Sequence, residues 1–153
     1  IYGSLFLKVT KSNGNEVNYG LASFRVVTDV GVGFIVDAYQ NVVEFETMNF
    51  HGIGTGSTAE NQTDTDLVTE LTTQYTSDNT RATGTTAENA ANILESVATN
   101  SVDASVNLRE HGLLSSATVG SGVLYDRTVF SSISLTSGDS LQSTYRCTFS
   151  AGG

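Results

Sequence analysis

Leu141-Gln142-Ser143-Thr144-Tyr145-Arg146-Cys147-Thr148-Phe149 is the stretch on which the fold turns. Side chains on a β-strand point alternately to opposite faces, so Leu141, Ser143, Tyr145, Cys147 and Phe149 share one face and Gln142, Thr144, Arg146 and Thr148 the other. The segment reads as a half-buried strand with Cys147 in its core-facing row. Working outward, Val102, Ala104, Val106 and Leu108 alternate with Asp103, Ser105, Asn107 and Arg109 to give a second strand. Val123, Tyr125 and Val129 lie in a third that begins after Gly120 and Gly122, with Ile133 and Leu135 as a continuation or a separate short strand before the turn Ser137-Gly138-Asp139.

At the other end Leu5, Leu7 and Val9 alternate up to Ser12-Asn13-Gly14-Asn15, where Asn-Gly suits the positive φ values of a tight hairpin. Leu21 to Thr28 then forms the returning strand. The middle reads as a short helix over Gly33–Gln40, a strand over Val42–Phe50 with Val43 and Phe45 on one face, and a long polar loop over Thr76–Ala91 before a strand at Ile93–Thr99. Between these, Thr63 precedes Asp66 as in a capping box, and Leu67, Leu71 and Tyr75 fall on one helix face, which predicts a surface helix. Turn signals recur at short intervals and no linker interrupts them. The expectation is one all-β domain over residues 1–153, a β-sandwich or jelly roll of about seven to eight strands with one or two short helices.

Composition narrows the function classes. Sixteen acidic residues against seven basic ones give a formal charge of −9 and a pI near 4.4. Nucleic-acid binders cluster Lys and Arg to neutralise phosphates, and these seven are scattered, so the sequence predicts no direct nucleic-acid binding. It also predicts no membrane association, because no apolar run approaches the roughly 18 residues a spanning helix needs. One cysteine excludes an intramolecular disulfide. Proline is absent and Ser plus Thr make up about a quarter of the chain, a balance that favours strands and polar turns.

No segment assembles a convincing active site. His51-Gly52-Ile53-Gly54-Thr55-Gly56-Ser57-Thr58 suggests a phosphate loop, but the lysine that precedes Ser/Thr in that motif is missing, and the dinucleotide pattern needs another glycine spacing. Alternating glycines instead fit close backbone packing. His51 and His111 each precede a glycine, yet two ligands without a third do not make a zinc site, and both read as strand-end histidines in similar positions. Asn61, Asp64, Asp66 and Glu70 lack calcium-loop spacing, and acids at a helix start complement its dipole. Glu44 and Glu46 share a strand face, where carboxylates more often meet water than sugar. Asn61-Gln62-Thr63 is a formal glycosylation sequon. No catalytic residue, metal ligand or cofactor is therefore assigned. The loops around His51, Gly52, Gly54 and Gly56, and around Thr76, Asp78, Asn79 and Arg81, are the expected contact regions.

Two groups of segments carry a resemblance. Asn49-Phe-His-Gly-Ile-Gly-Thr-Gly-Ser-Thr-Ala-Glu60 followed by Asp64-Thr-Asp-Leu-Val-Thr-Glu-Leu71 is similar to a stretch of virion structural proteins of tailed bacteriophages. Arg109-Glu-His-Gly-Leu-Leu114, Gly122-Val-Leu-Tyr-Asp-Arg-Thr-Val-Phe130 and Leu135-Thr-Ser-Gly-Asp-Ser-Leu-Gln142 resemble the C-terminal half of the same proteins. The resemblance runs from about residue 40 to the end and transfers no catalytic residues. It implies a virion location, first as a capsid cement or decoration protein that bridges the major capsid protein and copies of itself. A tail or fibre module facing the host surface comes second, and a metal-dependent jelly-roll enzyme using His51 and His111 third.

Overall fold

The computed structural model describes residues 1–25 and 27–150, with the Arg25 side chain outside the description. The chain is an all-β sandwich. Strands β1 (Tyr2–Thr10), β2 (Glu16–Arg25), β5 (Thr85–Ala90), β6 (Ile93–Ser101) and β9 (Ser140–Thr148) form a five-stranded sheet in the order β2-β1-β9-β6-β5. Strands β3 (Phe50–Gly54), β4 (Ala82–Thr83), β7 (Val106–Leu114) and β8 (Leu124–Leu135) form a four-stranded sheet in the order β4-β3-β7-β8. All pairings are antiparallel. One helix, α1 (Asp29–Tyr39), packs on β8, and a 3-10 turn covers Phe45–Thr47.

The alternation in β9 does what the sequence asks of it. Leu141, Ser143, Tyr145 and Cys147 are all buried, while Gln142, Thr144 and Arg146 are half-exposed. β9 sits at the centre of its sheet between β1 and β6, so its inner row meets both neighbours and the facing sheet. Leu5, Leu7, Val9 and Leu141 from one sheet interdigitate with Ile53, Leu108, Ile133 and Leu135 from the other in one cluster. A second cluster joins Tyr145 and Cys147 to Tyr125, Leu113 and the α1 residues Phe34 and Ile35. Burying each of these aliphatic or aromatic side chains stabilises by about 1.5–3 kcal/mol, which is why the fold needs no covalent staple. The Cys147 thiol is free and buried, and burial raises its pKa.

The hairpin at Asn13-Gly14 forms with positive φ at Gly14 alone, and Lys11 N bonds back to Asn15 O at 2.8 Å. Asp139, in the β8–β9 turn, ties this hairpin to the other end of the chain. Its buried carboxylate accepts from Thr136 N at 2.9 Å, Lys11 Nζ at 2.9 Å and Ser12 N at 2.8 Å. The Thr136 amide, more than the lysine, holds that carboxyl well below the usual carboxylate range.

Several local expectations are corrected by tertiary contacts. No helix runs through Leu67, Leu71 and Tyr75. These three side chains are buried, but the backbone between them turns at Val68–Thr69 and again at Thr73–Gln74: Leu71 N bonds to Ile53 O at 3.0 Å, and Val68 N and Thr69 N donate to Glu110. Donors given to a strand and a carboxylate are lost to a helix. Val42–Phe50 is not a strand until Phe50, because the chain closes α1 through Asn41, at φ 58°, and then makes the 3-10 turn. Thr76–Ala91 contains β4 and β5; every β5 side chain is exposed, so it carries no hydrophobic alternation. The strand expected from Val102 begins only at Val106, since Val102 N and O are engaged by Asp139 and Gly138.

Strand β2 starts earlier than expected, at Glu16, and stops at Arg25. Of the stretch expected to extend it to Thr28, Val26 lies outside the described residues. Thr28 caps α1, accepting from Gly31 N at 3.0 Å while donating to Leu124 O at 2.6 Å. The helix therefore starts at Asp29, four residues ahead of the expected Gly33. Gly31 lets it approach β8 closely, because a Cβ there would meet the Tyr125 backbone.

Candidate functional site

The two histidines meet inside the sandwich. Register in the β3–β7 pair sets His51 opposite Leu113 and Ile53 opposite His111, so the rings lie diagonally on the inner face of one sheet. His51 Nδ1 lies 2.9 Å from His111 Nε2, and His51 Nε2 lies 2.8 Å from Ser96 Oγ on β6 of the facing sheet. Neither faces solvent, since both residues are 0% exposed; His51 stands one residue inside the start of β3, and His111 lies well within β7. Burial pushes the His51 pKa down to about 3, and burial together with the neighbouring ring pushes His111 well below its ordinary value. With both rings neutral, two proton arrangements link these three groups, and in either one the buried His111 Nδ1 has no hydrogen-bond partner among the described residues. Either Ser96 donates to His51 and His51 to His111, or the direction reverses throughout.

A serine hydroxyl bonded to a histidine is half of a nucleophile–base pair. Here the hydroxyl bridges the two sheets and Ser96 is 2% exposed, which leaves no path for a substrate carbonyl to its Oγ. Among the described residues no group of three or more His, Cys, Asp or Glu side chains is placed to hold a metal ion. The geometry makes this chain of polar groups an inter-sheet tie.

The opposite face of the same sheet carries a second polar layer. Glu110, fully buried on β7, accepts from Gly56 N at 3.0 Å, Thr69 N at 2.7 Å and Val68 N at 3.0 Å, and pairs with Arg127 Nε at 2.8 Å. Arg127 reaches on to Asp64 at 2.9 Å and to the Thr58 carbonyl at 3.0 Å. Arg81 makes a two-pronged contact with Glu70, 2.6 and 2.8 Å, and donates to the carbonyls of Ser116 and Ser121. These bonds clamp the 55–81 segment over the sheet. Tyr75 adds to the clamp by bonding both Ile53 N and Ile53 O through its hydroxyl.

The glycine run is what lets the clamp close. A Cβ at Gly54 would collide with the Thr69 carbonyl and one at Gly56 with the Glu110 carboxylate; at Gly52 it would lie 2.7 Å from Glu70 Oε1. His51, Gly52, Gly54 and Gly56 are thus packed inside the molecule, and the geometry gives them a packing role in place of a free contact surface. Arg81 is equally buried in its ion pair. Thr76, Asp78 and Asn79 are exposed on the loop leading to it, with Asn79 at φ 55°. The structure does not gather the two sets into one site. Asp64 and Glu70 are each taken by an arginine, Asp66 is exposed, and Glu44 and Glu46 lie exposed around the 3-10 turn.

The sequence reading missed the apolar surface of β2 and α1. On β2, Val17, Tyr19, Leu21 and Phe24 are 41%, 47%, 41% and 58% exposed. On α1, Val32, Val36 and Tyr39 are exposed at helical spacing, one above another. Val17, Tyr19 and Leu21 alternate in the chain, but the β1–β2 register shifts between them and sets Val17 opposite Val9 and Leu21 opposite Phe6, so a period of two does not reveal which face each takes. No family model, curated protein or solved structure matches this chain.

Proposed function

We propose that this chain is a structural protein of a bacteriophage particle, which cements or decorates the capsid by bridging major capsid protein subunits and copies of itself. The observation that carries the reading is the outer strand β2. It is ten residues long, stands at the end of the sheet order, and shows four large apolar side chains to solvent. Exposed strand edges are templates for pairing, and monomeric proteins blunt them with short strands, charges or proline. An edge left long and apolar suits a protein that is covered by another. The α1 stripe supplies a second such patch. On a repeating shell, several patches of modest affinity combine into strong retention. The acidic net charge would set orientation against basic shell patches more than it would add affinity.

The clamped interior supports the same reading, because a cement transmits stress between subunits and benefits from segments that do not shift. The double variant Tyr19→Glu, Leu21→Glu tests it. Both side chains are surface-exposed, so the melting temperature of the isolated protein should stay within a few degrees of wild type. Losing their burial, at about 1.5 kcal/mol or more each, should cut rebinding to stripped particles at least tenfold. Wild-type rebinding by the variant would contradict the proposal.

A further inference from the structure

Strand β3 stops at Gly54, and its last pairing with β7 is Gly54 with Glu110. β7, however, begins at Val106. Over Val106, Asn107 and Leu108 it pairs with Leu135, Ser134 and Ile133 of β8 on one side, and has no strand on the other. The chain leaves this place vacant because it turns away after Gly54, with Thr55 N bonding to Thr69 O and Gly56 N to Glu110. Beyond the gap runs the Thr69–Gln74 segment, which bridges Gly54 at Glu70 along the other edge of β3. The gap lies where β3 would continue, between the free edge of β7 and this segment, which is bridged at Glu70 and turns at Thr73–Gln74.

A cleft of about 590 Å³ occupies this position, bordered by Thr69, Thr72, Gln74, Ser105, Asn107 and Arg109. Among the described residues no backbone hydrogen bond crosses it from Val106–Arg109 to Thr69–Gln74; one end is closed by Asp103 N on Gln74 O at 3.2 Å. Arg109 is exposed at its border. It also differs from the other described cations. Lys8, Lys11, Arg81, Arg127 and Arg146 each pair with a carboxylate, whereas Arg109 has none within salt-bridge distance among the described residues.

We propose that this gap is a strand-acceptor slot, which takes a free extended peptide of a protein partner with a glutamate or aspartate side chain set against Arg109. An unpaired strand edge recognises extended backbone through main-chain hydrogen bonds, and the flanking side chains choose the sequence. Arg109 supplies the choice, since a guanidinium pairs a carboxylate through charge-assisted bonds. Five residues, Ser105 to Arg109, set the length at about 16 Å of strand. A slot flanked on both sides admits a single strand but not the edge of a formed sheet. Among the described residues the strands of a second copy are already engaged in its own two sheets, which points to a different protein as the occupant. The site is separate from the β2 and α1 surface and does not depend on a capsid location.

The test is amide NMR on the isolated protein, titrated with capped Thr-Val-Glu-Val-Thr and, separately, with Thr-Val-Gln-Val-Thr. The glutamate peptide should shift the amides of residues 105–109 and 69–74, and bind about tenfold tighter than the glutamine peptide. In Arg109→Gln, an exposed substitution that leaves the fold intact, that tenfold difference should vanish while weak binding of both peptides remains. The proposal is overturned if neither peptide shifts these amides at millimolar concentration, or if both bind equally to the wild type. It is overturned equally if the shifts fall on β2 or α1, or if the same amides move with protein concentration alone, which would place a second copy in the slot.

Discussion

Glu110→Ala is expected to destabilise the protein by about 3–5 kcal/mol, because removing one member of a buried ion pair leaves the other charge uncompensated. Arg127 would keep Asp64, which is partly exposed, but its Nε would face an emptied cavity, since Arg127 and Glu110 are 1% and 0% exposed at their side chains. Three backbone donors, on Gly56, Val68 and Thr69, would lose their acceptor at the same time. For a chain of this size each kcal/mol lowers the melting temperature by roughly 2–4 °C, so a drop on the order of 10 °C or more is expected in a thermal scan. Replacing the exposed β5 residue Glu88 by alanine should move it by about 1–2 °C at most. Equal, small shifts for the two variants would mean that Glu110 does not hold the 55–81 segment down.

Acidification should produce the second large effect. His51 and His111 are held neutral in the folded state by burial, with pKa values far below the ordinary 6.5. The unfolded chain binds protons on both rings once the pH falls below that ordinary value. Stability is therefore fully present above about pH 6.5 and is lost as the pH falls from there, at up to about 1.4 kcal/mol per pH unit for each ring. Between pH 6.5 and 5 the two together amount to as much as roughly 4 kcal/mol, a large share of the roughly 5–15 kcal/mol margin of an ordinary domain. Asp139 acts in a separate, more acidic window: its carboxyl is depressed, so its contribution is lost only on falling below the unfolded carboxylate value of 3.8. Urea unfolding at pH 7 and pH 5 checks the histidine effect. A midpoint that is unchanged or higher at pH 5 would contradict it, and the double variant His51→Asn, His111→Asn should flatten the dependence even though it begins from a lower stability.

The two ends of the chain were readable and the middle was not, for a physical reason. Strands β1 and β9 carry alternation because one face of each meets the facing sheet, and the Asn13-Gly14 and Ser137–Asp139 turns bound them; β8 alternates only at its end, where Ile133 and Leu135 flank exposed Ser134, while Leu124–Thr128 are buried throughout. In the 55–81 segment the spacing of Leu67, Leu71 and Tyr75 imitates a helix, but the partners that decide its conformation, Glu110, Arg127 and Ile53, are up to about 60 residues away in sequence. β5 has no buried face and so leaves no trace in periodicity. The site reading had the same limit. That the glycines serve close packing followed from their chemistry, whereas the meeting of His51 with His111 depends on a β3–β7 register that no local pattern records. The β3 stop at Gly54, which opens the proposed slot, is likewise a property of two strands and not of one.

Quantitative mass spectrometry of purified particles, with this chain measured against the major capsid protein, tests the central proposal most directly. Shell cementing predicts copies on the order of hundreds per particle, in fixed ratio to the symmetric lattice they bridge. A handful of copies would contradict it in favour of a tail or fibre position, and absence from the particle would contradict a virion role altogether.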